Sequence, residues 1–194
     1  MSSLETIPEQ HESLYTQELA RKLSPLETAF LEQELERSQR HHEHMKTLVD
    51  GLEILRTKPI LLVDAADRAT MGKAWIPAIN KELLSTFVKI QTGQEYDPET
   101  FDYKKFVGQT FAYMFGFDED DTRFKKVSLV HGDTLPLDPT QYSLIIGTGG
   151  ELNDFQTQPE YEDIRTSIRT FFAKVLTTKT PFAVTCATHQ ILGE

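Results

Sequence analysis

Tyr142-Ser143-Leu144-Ile145-Ile146-Gly147-Thr148-Gly149-Gly150 is the stretch on which the fold turns. Consecutive aliphatic residues without polar alternation describe a strand buried on both faces, as in a parallel sheet. The glycines that close it let the backbone turn sharply and approach a bound molecule closely. Similar segments recur at Ile60-Leu61-Leu62-Val63-Asp64, at Val127-Ser128-Leu129-Val130 and at Pro181-Phe182-Ala183-Val184-Thr185. Helical spacing lies between them. Trp75, Ile76, Ile79, Leu83, Phe87 and Ile90 mark one helix over 72–91; Tyr161, Ile164, Ile168, Phe171, Phe172 and Val175 mark another over 160–176. Strands alternating with helices predict an α/β fold, a doubly wound and mostly parallel sheet.

Two regions are less regular. Between 93 and 126, Phe111, Tyr113, Phe115 and Phe117 alternate like a strand, yet the surrounding residues fit a helix equally well. Residues 1–57 read as an N-terminal helical extension that packs on the main domain or on a partner. Ser24-Pro25-Leu26-Glu27 supplies a cap, a proline at the first helical position and the glutamate of a capping box. Beyond this cap either one long helix or two can form, because the stretch from Glu36 to His44 is entirely polar. Its histidines at 41, 42 and 44 read as a solvated face, since only two of them share one side of a helix and no third ligand is evident for a metal.

Bulk properties narrow the function. Of 194 residues, 39% are hydrophobic and 26% charged, and the net charge is −10. So acidic a chain lacks the clustered basic residues of a nucleic-acid binder. No apolar run approaches the roughly 20 residues that cross a bilayer, and the N-terminus has no secretory signal. One cysteine excludes an internal disulfide and suits the cytoplasm.

That cysteine carries the strongest chemical signal. An apolar strand delivers Cys186, and Ala187-Thr188-His189-Gln190-Ile191-Leu192 can begin a helix directly after it. A nucleophile on such a turn stands at the C-terminal edge of the sheet, where open α/β folds bind ligands. The helix N-terminus favours the thiolate, and the Ala187 N–H can serve a developing oxyanion. On geometry alone, a buried inert thiol fits as well. The loop Gly147-Thr148-Gly149-Gly150 belongs at the same edge. It is not a dinucleotide fingerprint, because the third, helix-opening glycine is missing. Asp64 and Asp67 come just after the apolar part of the first strand and read as capping or loop residues.

These pieces together resemble the class I glutamine amidotransferase family over residues 58–194. The matching segments are Leu144 to Gly150, the helix 160–176, and Val184-Thr185-Cys186-Ala187-Thr188-His189-Gln190 in place of the family's Gly-x-Cys-x-Gly-His-Gln elbow. Gly132-Asp133-Thr134-Leu135-Pro136 also looks like the guanylate-synthase-type branch. The resemblance implies a flavodoxin-like sheet, no cofactor, and glutamine as substrate. It further implies Cys186 as nucleophile, oxyanion-hole N–H groups from Ala187 and from Gly149 or Gly150, Gln190 against the bound glutamine, and His189 as a hydrogen-bonding residue of the elbow helix. A synthase partner or domain would accept the ammonia. Two departures stand out: Val184 and Thr188 replace the elbow glycines, and the family's His-x-Glu base motif is absent, as if the domain lacked its C-terminal part. An inactive amidotransferase-like binding or regulatory module, and a γ-glutamyl peptidase, are the competing readings.

Overall fold

Four segments of the chain become strands, and helices pack on both faces of the two most apolar of them, Ile60–Val63 and Leu144–Ile146. The computed structural model describes residues 23–65, 81–97, 101–148 and 159–193. Strands β1 (Ile60–Asp64), β2 (Phe124–Ser128), β3 (Leu144–Gly147) and β4 (Phe182–Val184) form one all-parallel sheet in the order β2-β1-β3-β4. The helices are α1 (Pro25–Asp50), α2 (Lys81–Thr92), α3 (Tyr103–Met114), α4 (Glu162–Leu176) and α5 (Cys186–Gly193). Of the expected helix over 72–91, the part with Trp75, Ile76 and Ile79 lies outside the described residues, as do Asp67, Gly149 and Gly150.

The strand pleat divides the core in two. Leu61 and Val63 point to the side where Ile168, Phe171, Phe172 and Val175 of α4 and Ile191 of α5 pack. Ile60 and Leu62 point the other way, onto Val49 of α1, Leu55, and Ala112 and Phe117 at the end of α3. Complete burial of a Leu or Ile side chain stabilises by about 1.5–3 kcal/mol, so β1, buried at all five positions, anchors both halves. β4 lies at the sheet edge, where Phe182 is partly exposed and packs edge-on against Phe172.

Helix α1 is a single helix that starts as its sequence dictates. Ser24 Oγ accepts from the Glu27 N–H, and Glu27 returns the bond to the Ser24 N–H at 2.7 Å. Its polar middle is not wholly solvated, contrary to the expectation for Glu36–His44. His42 is buried and its ring stacks on Tyr113 with centroids 4.1 Å apart. His41 Nε2 and His42 Nδ1 lie 3.0 and 2.8 Å from the carbonyl oxygens of Met114 and Tyr113. Polar residues face inward here because the end of α3 offers them carbonyl acceptors.

The ambiguous aromatic segment is helix α3. Its strand-like alternation arises because Phe115 and Phe117 already belong to the turn beyond it. Gly116, at φ +80°, ends the helix in a Schellman motif: Phe117 N–H donates to Ala112 O at 2.8 Å and Gly116 N–H to Tyr113 O at 3.1 Å. In α2 the buried face is Leu84 and Val88, while Leu83 and Phe87 are partly exposed, one residue away from the stripe read in the sequence. β2 likewise begins earlier than expected and stops at Ser128, where the Asp133 carboxylate accepts the Ser128 N–H at 2.8 Å; Leu129–His131 form a 3-10 turn instead of strand.

Arg123, just before β2, holds Asp121 at 2.7 Å and Asp50 at the end of α1 at 2.8 Å, with its guanidinium over the Phe117 ring. Hydrogen bonding from Arg123 keeps the Asp121 carboxyl below its ordinary range. A depressed folded-state value stabilises the fold above the unfolded value of about 3.9 and is lost as pH falls through the folded one. Asp121→Asn should therefore lower stability at neutral pH, and its deficit against wild type should shrink below a pH of about 4, as read by urea unfolding across pH. A second test concerns Gly116, where a Cβ would lie 2.3 Å from the Lys46 backbone nitrogen. Gly116→Ala should cost clearly more than Gly132→Ala, where φ is also positive (+89°) but nothing lies within 4 Å of the Cβ. The latter is expected to cost about 1 kcal/mol.

Candidate functional site

A parallel sheet brings the carboxyl ends of its strands to one edge. Here Val63, Gly147 and Val184 stand in register across β1, β3 and β4. Asp64 ends β1, Thr148 follows β3, and Thr185 leads from β4 into α5. Cys186 is the first residue of α5, so the bend from strand to helix falls where the sequence pattern puts it. Ala187 lies in the first turn, whose N–H groups have no partner within the helix. Gln190 is one turn further along α5. Gly149 and Gly150 lie outside the described residues; their neighbour Thr148 sits beside the β4 end of the sheet.

The bend is held by contacts that the sequence did not announce. Thr188, fully buried, donates its hydroxyl to the Thr148 carbonyl. Its γ-methyl occupies the space over Gly147, where a Cβ would come within 2.5 Å of Thr188 Cγ2 and 3.2 Å of Phe172 Cζ. The resemblance expects glycine at the Thr188 position; here the glycine at the end of the neighbouring strand makes the room. The Thr185 N–H donates to Gly147 O at 3.0 Å and ties the same bend to β3. Val184, the other departure from glycine, is half-buried against the α4 side of the core.

The network continues inward. Thr148 donates its N–H to Val63 O at 3.0 Å and its hydroxyl to Asp64 Oδ1 at 3.1 Å. Asp64 is 1% exposed, with Lys126 Nζ 3.6 Å from its other oxygen. Asp64 is therefore a buried strand-end residue that meets Lys126 of β2 and Thr148 just after β3. One signal for it was present in the sequence: a carboxylate closing an all-apolar strand must find partners if it is buried.

His189 and His131 stand apart from one another. His189 is exposed on α5, where the resemblance expected a hydrogen-bonding role. His131 follows β2, which β1 and β3 separate from β4. Three strand spacings amount to about 14 Å, so His131 is remote from the start of α5. Among the described residues, no three His, Cys, Asp or Glu side chains group to hold a metal, and no helix is long and apolar enough to cross a membrane.

Complementarity between Gly147 and Thr188 is directly testable. Gly147→Ala should destabilise by about 1–3 kcal/mol through overpacking, and Thr188→Gly by a similar amount through lost packing and a lost hydrogen bond. The double variant should recover part of the sum, with a coupling of about 1 kcal/mol or more in urea unfolding; strict additivity would contradict the contact. Comparison of the chain with protein families, with curated proteins and with solved structures finds no match in any of the three.

Proposed function

We propose that this chain carries a class I glutamine amidotransferase-like domain on a doubly wound, flavodoxin-like sheet, with Cys186 as its nucleophile. The supporting observation is the start of α5 at Cys186, at the carboxyl edge of an all-parallel sheet and one strand from the β3 end that leads to Gly149 and Gly150. In this reading the thiolate adds to the side-chain carbonyl of glutamine. N–H groups of Ala187 and of Gly149 or Gly150 receive the oxyanion. Collapse breaks the C–N bond, the nitrogen leaves as ammonia after taking up a proton, and a γ-glutamyl thioester remains for water to hydrolyse. Gln190 contacts the bound glutamine. The resemblance gives the base role to a His-x-Glu pair and assigns it to neither His189 nor His131. The ammonia passes to a synthase partner or domain, in the cytoplasm.

A second reading, a binding or regulatory module without turnover, draws support from Thr188. Its hydroxyl and methyl brace the bend in a place the family keeps open with glycine. A γ-glutamyl peptidase would use the same thiol on a different amide.

Binding can be tested without turnover, because Cys186 is the single cysteine. Alkylation of Cys186 by iodoacetamide should slow saturably in L-glutamine and be unaffected by D-glutamine, and Gln190→Ala should weaken the protection. Equal rates with and without L-glutamine in the folded protein would refute glutamine as the ligand. Protection without ammonia release would favour the module.

A further inference from the structure

We draw no further inference here: the strongest candidate, the largely apolar groove of about 360 Å³ between the 129–137 segment and α4, is lined by Leu129, Leu135, Leu137 and Phe171, its one cation, Lys174, already donates to the Leu137 carbonyl, and nothing in the structure shows what covers it.

Discussion

Burying a parallel sheet on both faces leaves its polar chemistry nowhere to go but the strand ends. β1 is buried at every position and pairs with β2 on one side and β3 on the other. Everything that projects from the carboxyl ends of β1, β3 and β4 therefore meets along one edge. What fixes that edge is a chain of contacts from Asp64 through Thr148 to Thr188, closed by the fit of Thr188 over Gly147. The links join the ends of β1 and β3 to the start of α5, so the bend at Cys186 is set by its neighbours as much as by its own sequence.

The opposite face is built differently. There the C-terminal half of α1 closes the core through Val49, and polar groups on its side are matched to the end of α3. The Schellman turn at Gly116 places Phe117 in that core and brings Asp118 and Glu119 toward α1 and α2. A residue pattern that reads as solvent-facing thus becomes an interface, and the ion pairs of Arg123 draw the end of α1 to the start of β2.

What the sequence made legible was local. The runs Ile60–Val63 and Leu144–Ile146, the α4 stripe and the Ser24 cap each carry their signal within a few residues, and the structure follows them. The onset of α5 at Cys186 belongs to the same class. Signals distributed across the chain were lost. Lys125 and Lys126 disguised the first half of β2, although Lys126 reaches the buried Asp64. In α2 the stripe shifts by one residue because Leu84 and Val88, not Leu83 and Phe87, meet the core. His42 looked solvated because its partner, Tyr113, is 71 residues away in sequence. The compensation between Gly147 and Thr188 spans 41 residues by their numbering and is invisible until the two strands are side by side.

The central structural claim is that Cys186 stands at the carboxyl edge of the sheet beside the end of β3. A nitroxide attached to this single cysteine provides the most direct measurement, through paramagnetic broadening of backbone amide resonances. Broadening is expected to be strongest at Thr148 and Thr188, weaker at His131, and weakest at Lys58 and Ser143 on the opposite edge. Broadening at Lys58 or Ser143 equal to or greater than that at Thr148 would contradict the account.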